Sequence, residues 1–140
     1  MKTAYPTFIA KNDNCCLVFV PDFEIYTEGS SFVDAIEMAR DAIASKGITY
    51  ENEGIIVPRP SDSEEAISKA EAEADDIFDY SKGVLTYVDV NFSEYREKYD
   101  NRMVRRNVTL PAWLNYEAEK INLNVSKFLQ EALKEKVASK

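Results

Sequence analysis

The chain of 140 residues contains no histidine. That removes the commonest general base, the usual zinc ligand and any Ser-His or Cys-His nucleophile pair. An enzymatic reading would have to rest on carboxylates, lysines or tyrosines. Cysteine is nearly as scarce: there are two, and they are adjacent, Cys15 and Cys16. Neighbours on a strand point to opposite faces, so these two are poorly placed to bridge each other. Two reduced thiols in an apolar run fit a cytoplasmic protein. Long apolar runs are also missing. The longest, Cys15 to Val20, stops at Pro21 and is far too short to cross a bilayer. Met1-Lys2 is not followed by a signal-peptide core, so the sequence predicts a cytoplasmic chain with no membrane association. No internal repeat, glycine-rich phosphate loop or cofactor motif is visible, and no cofactor is expected.

What is present is an ordinary globular composition, 45% apolar and 30% charged, in a chain long enough for one small domain and a short module. The net charge of −8 conceals two opposed parts. Residues 1–100 carry 9 Lys/Arg against 21 Asp/Glu, whereas residues 101–140 carry 8 against 4. An acidic domain joined to a basic one is implied, the first suited to a basic protein and the second to phosphates.

Residues 4–11 and Cys15–Val20, separated by Asn12-Asp13-Asn14, read as an antiparallel hairpin, with Pro6 pointing to an edge position or an early bend. A loop is expected through Thr27-Glu28-Gly29. Phe32, Ala35, Ile36, Ala39 and Ile43 then recur at helical spacing behind a Ser30 or Ser31 cap, and Gly47 reads as the residue past the helix end. Ile55-Ile56-Val57 reads as a short strand. Ser61-Asp62-Ser63-Glu64 has the form of a capping box for a helix that is acidic outside, and the acidic run Glu71 to Asp79 reads as its solvated end. Val84 to Phe92 alternates as a strand, with Leu85 and Tyr87 opposite Val84, Thr86, Val88, Val90 and Phe92. Ser93 to Asn101 is mostly charged and reads as a boundary. The predicted class is α+β: a small antiparallel sheet with helices on one face in residues 1–98, followed by a separate module in 99–140.

That module holds the functional signal. Met103 to Leu110 alternates, Pro111 suits the first helical position, and two amphipathic patterns follow, separated by Ile-Asn-Leu-Asn. Leu114, Ala118 and Ile121 form the apolar stripe of the first, with Trp113 beside it. Asn124 is a good N-cap for the second, in which Val125, Phe128, Leu129, Ala132, Leu133 and Val137 make a full apolar face. Strand, helix, helix cannot enclose a core alone, which points to an intertwined homodimer with Val108, Leu110, Leu114, Ala118, Ile121, Phe128, Leu129 and Leu133 at its centre. With Val108 and Leu110 inward, Arg105, Asn107 and Thr109 face outward. A two-stranded ribbon, one strand from each copy, fits the DNA major groove, where Arg suits guanine, Asn adenine and Thr a polar edge or a thymine methyl. The N-terminal turn of the last helix, Asn124, Val125, Ser126 and Lys127, offers N–H groups, a hydroxyl and an ammonium to a phosphate. The plainer readings are an ordinary edge strand, a capped helix start, or a tail that dimerises without touching DNA.

The stretch "RRNVTLPAWLNYEAEKINLNVSKFLQEALKEKV" resembles the ribbon-helix-helix tail of HicB-like antitoxins. "VPDFEIYTEGSSFVDAIEMARDAI" is similar to that family's Phe-Pro-Asp…Thr-x-Gly…Glu-Ala element, with Pro21, Asp22, Thr27, Gly29 and Ala35 at the positions the pattern expects. It departs at Phe23 to Tyr26, where many members have a Pro-Gly-Cys turn, and Glu51 to Asp79 has no counterpart in the pattern. The resemblance implies a partial RNase H-like first domain that binds a HicA-like toxin, an RNA-cleaving protein with a catalytic histidine. It also implies a tail that dimerises on operator double-stranded DNA, pairs again there as a tetramer, and represses the operon. The chain itself would not be an enzyme. Two rivals remain open at this point. One is a magnesium nuclease using Asp22, Glu28 and Asp89; the other is a stand-alone repressor whose first domain senses a ligand.

Overall fold

The structure, a computed structural model, describes residues 2–138. The chain divides into two compact units, the first ending at Arg102 and the second starting at Met103.

The first unit is built on a four-stranded antiparallel sheet in the order β3-β2-β1-β4. Its strands are β1 (Lys2–Asn12), β2 (Cys15–Val20), β3 (Ile25–Gly29) and β4 (Val84–Asn91). The β1–β2 hairpin closes through Asp13 and Asn14, with Asn12 opposite Cys15. β1 is therefore an interior strand, contrary to the edge position expected from Pro6. The proline is tolerated because the β2 register begins only at Phe8, which leaves Pro6 paired on one side alone, with Tyr87. β3 falls where a loop is expected. A short 3-10 turn, Pro21–Phe23, and Glu24 in the left-handed region (φ 51°) reverse the chain so that Val20 pairs with Ile25 and Cys16 with Gly29.

Helix α1 (Phe32–Asn52) starts at Ser31, whose hydroxyl accepts from the Asp34 N–H at 3.1 Å. It buries Ala35, Ala39, Ile43 and Ala44 against Tyr5, Ile9, Val18, Val20, Val88 and Val90 on one face of the sheet. It runs through Gly47 rather than ending there. Gly47 is buried within the helix, and a Cβ at that position would overlap the ring of Phe92. The glycine is set by packing, not by a helix end.

The opposite face of the sheet is covered as well. Helix α2 (Ser63–Ala72) buries Ala66 and Ala70 against Phe8 and Phe19, with Leu85 and Tyr80 packed at the margin. Helices thus lie on both faces, not one, and the β4 alternation divides between them: Val88 and Val90 toward α1, Leu85 toward α2. The α2 cap is Asp62, which accepts from the Glu65 N–H at 2.9 Å. Ile55-Ile56-Val57 forms no strand; it belongs to an extended crossing held by the Tyr5 hydroxyl on the Pro58 carbonyl at 2.7 Å. The charged stretch after β4 contributes helix α3 (Phe92–Tyr99), where Arg96 reaches Glu51 at 3.1 Å and Asn52 at 2.9 Å at the end of α1.

The second unit contains α4 (Ala112–Lys120) and α5 (Val125–Ala138). The protein is thus α+β, with a small four-stranded antiparallel sheet and five helices among the described residues.

Candidate functional site

The second unit is built from local signals. Pro111 stands one position before α4, with φ −56° and ψ 142°, rather than inside it. The helix ends in a Schellman arrangement: Asn122 takes φ 55° and donates to the Glu119 carbonyl at 3.0 Å, while Leu123 donates to the Ala118 carbonyl at 3.0 Å. Asparagine serves there because it tolerates the left-handed region better than most side chains. Two residues on, Asn124 caps α5 by accepting from the Lys127 N–H at 3.1 Å. Ile-Asn-Leu-Asn is therefore a stop signal followed at once by a start signal, which makes a tight helix–helix joint.

No residue between Met103 and Ala138 is buried. Leu110, Ala118 and Leu129 are partly covered, while Val108, Leu114, Ile121, Phe128 and Leu133 are exposed, with Phe128 at 58% and Leu133 at 55%. Trp113 is exposed too. The apolar face expected of α5 is present but has no core around it within one chain. Met103–Leu110 pairs with no strand among the described residues. Arg105, Asn107 and Thr109 are exposed, and so are Val104, Arg106 and Val108, so one chain does not define an inner and an outer face. In α5, Val125 and Ser126 occupy the first two positions, where helix geometry leaves N–H groups unpaired. Asn124 Oδ1 is spent on the cap.

In the first unit the three carboxylates that a nuclease would need are apart in function. Asp22 has a side chain only 1% exposed and is fully engaged: it accepts from the Ser61 N–H at 2.8 Å, the Ser61 hydroxyl and Lys69 Nζ at 2.8 Å. Asp89 holds Arg40, whose Nη2 lies 2.8 Å from Oδ1 and whose Nε donates to the Asp89 carbonyl at 2.9 Å. Lys2 lies 3.5 Å from the other oxygen. The Arg40 hydrogen bond and its charge pull the Asp89 carboxyl below the ordinary range. Glu28 lies on β3 beside Cys15, where burial first and the Glu28 charge second push the thiol up. No group of three metal-ligating side chains gathers among the described residues, and no described helix is long and apolar enough to cross a membrane.

Sequence reasoning missed the Asp22–Ser61–Lys69 cluster, because its members come from three separate segments. The acidic, helix-capping character of Ser61-Asp62-Ser63-Glu64 was the visible signal; the partner in the Pro21–Phe23 turn was not.

A family model described as HicB-like antitoxin of bacterial toxin–antitoxin system matches residues 5–133. No curated protein matches the chain. Among solved structures, a chain of a toxin–antitoxin complex from Streptococcus pneumoniae has a similar fold, with TM-score 0.60 and 24% identity over 97% of this chain and 99% of that one. The antitoxin HicB of Burkholderia pseudomallei is similar with TM-score 0.51 and 25% identity over 98% of each chain.

Proposed function

Because the chain belongs to the HicB-like antitoxin family of bacterial toxin–antitoxin systems, we propose that it neutralises a HicA-like, mRNA-cleaving toxin and represses its own operon on operator DNA. Residues 1–98, a partial RNase H-like domain, carry the toxin-binding role. Residues 99–140 form a ribbon-helix-helix module that is complete only as a homodimer, and two such dimers pair on DNA as a tetramer.

One observation carries the second half of this reading: from Met103 to Ala138 nothing is buried, while α5 keeps an apolar face. A face of that kind in water costs roughly 25 cal/mol for each Å² left uncovered. A second copy would cover it, and would supply the missing neighbour for Met103–Leu110 as an antiparallel ribbon. The ribbon then acquires two faces. Val108 and Leu110 turn inward onto Leu114, Ala118, Ile121, Phe128, Leu129 and Leu133. Arg105, Asn107 and Thr109 turn toward base edges in the major groove. The Val125 and Ser126 N–H groups, the Ser126 hydroxyl and the Lys127 ammonium anchor a phosphate. Asn124 contributes by shaping the helix start, since its oxygen is already used. The excess of Lys/Arg in residues 101–140 agrees with this, as does the acidic excess in residues 1–100 with a basic, RNA-binding partner.

The test is co-expression with the small protein encoded beside this chain. Relief of its growth toxicity, stoichiometric co-purification, and retardation of the operon's promoter DNA by the chain support the reading. Undiminished toxicity with no complex formed would contradict it.

A further inference from the structure

On the α2 side of the sheet, four aromatic rings form a chain that surfaces at its outer end. Phe19 is buried and stacks on Tyr26 at 4.9 Å between centroids; Tyr80 lies 5.3 Å from Phe19 and 6.0 Å from Tyr26, and Phe78 meets Tyr80 edge-on at 4.6 Å. Tyr26 is 53% exposed, and Ile77, which precedes Phe78, is 93% exposed. Such an exposure on an unheld loop would mean little. Here the loop is held: Asp75 Oδ1 accepts from the Ile77 N–H at 2.8 Å and the Phe78 N–H at 2.7 Å, and the Asp75 N–H donates to the Phe78 carbonyl at 3.1 Å. A pinned turn therefore presents one isoleucine to solvent beside an aromatic surface.

The segment that carries the turn is strongly acidic, and the nearest bases, Lys11 and Lys82, lie past its end in the hollow beside Phe78 and Asp79. From Ala70 to Ser81 there are five acidic residues and no basic one. Glu73 accepts from the Tyr26 hydroxyl at 2.8 Å, which fixes a carboxylate at the rim of the aromatic patch. Partial desolvation, then that hydrogen bond, push the Tyr26 phenol up to about 12. The nearest preceding base, Lys69, is already paired with Asp22.

We propose that Ile77 and the Tyr26 ring, framed by Glu73 and Asp76, form the docking surface for a Lys/Arg-rich face of the toxin, with Ile77 entering an apolar notch there. This rests on the antitoxin reading above. Its physical logic is that of an interface with an apolar centre and a charged rim: burial of Ile77 and the tyrosine ring gives affinity, while the carboxylates steer a basic partner and can receive guanidinium groups over the ring face. The opposite side, along α1 and α3, presents Arg40, Arg96 and Lys98 among its acids and has no comparable run of one sign.

The experiment measures affinity of the full chain for the purified toxin encoded beside it, by calorimetry, with three chains: wild type, Asp76→Lys with Ile77→Ala, and Glu37→Lys on the α1 side. All three positions are exposed, and circular dichroism should give the same melting curve for each. The double variant is expected to bind about tenfold or more weakly, with Glu37→Lys unchanged. Hydrogen exchange on the wild-type complex should show new protection at 73–80. Wild-type binding with the double variant within about twofold, or protection confined to the α1 side, overturns this surface and leaves the antitoxin reading standing. No binding by the wild type overturns both.

Discussion

Asp22 and Lys69 are separated by 47 residues in sequence and by 2.8 Å in space. Ser61, 39 residues from Asp22, completes the contact with its N–H and hydroxyl. The carboxylate is almost wholly buried, so its three donors are what make that burial tolerable. Together they fasten the turn after β2 to the crossing before α2 and to α2 itself. This closes the second layer over the sheet.

Asp22→Ala should therefore destabilise the first unit by about 2 kcal/mol, from the loss of charge-assisted hydrogen bonds and the stranded Ser61 groups. Lys69→Met should cost less, about 1 kcal/mol, because the ammonium is half exposed and the two Ser61 donors remain. Chemical denaturation checks both, and an equal or reversed order would contradict the arrangement.

Arg40 and Asp89 give a pH-dependent counterpart. The Asp89 carboxyl titrates below its ordinary value in the folded chain, so its contribution is present above the unfolded pKa and is lost as pH falls through the folded one. Arg40→Met should move the Asp89 titration, followed by carboxyl NMR, upward toward the ordinary carboxylate value. It should also flatten the stability loss on the acid side. The same substitution uncovers the Asp89 carbonyl on the edge strand β4.

Gly47 tests packing against propensity. Alanine in a helix interior ordinarily gains about 1 kcal/mol over glycine, but a Cβ here would overlap the Phe92 ring. Overpacking of this kind costs about 1–3 kcal/mol, so Gly47→Ala should lower stability. In the background Phe92→Leu, which frees the space, it should cost less or become favourable. Thermal melts of the four chains decide the sign.

These cases show where the sequence is readable. Asn124 as a cap, the turn at Asn12 to Cys15, the alternation of β4 and the apolar periodicities of α1 and α5 are all local, and each is legible. β3 was not, because five residues containing Thr27, Glu28 and Gly29 carry a turn composition and become a strand only through pairing with β2. Gly47 carried the composition of a helix end, while its reason lies in Phe92, 45 positions away. Ile77 and its pinned turn lay in a segment read only as solvated acid. The face of Arg105, Asn107 and Thr109 is of another kind: it is written in the alternation, but one chain does not supply the strand that would fix it.

On DNA, base and phosphate contacts should separate. Arg105→Ala with Asn107→Ala should cost about 1–3 kcal/mol per lost base pairing and erase the preference for operator over unrelated sequence. Lys127→Ala should weaken both sequences alike and reduce the steepness of the salt dependence by about one phosphate contact per subunit. Titrations at several salt concentrations distinguish the two. Preserved operator preference in the double variant would show that the reading face is misassigned.

The most direct measurement is sedimentation equilibrium of the full chain and of Phe128→Glu, across a wide concentration range without DNA. An unfinished second unit completed by its copy predicts twice the chain mass for the wild type, and a single chain mass with a still-folded first unit for the variant. A wild-type chain that remains a monomer at every concentration would contradict the account.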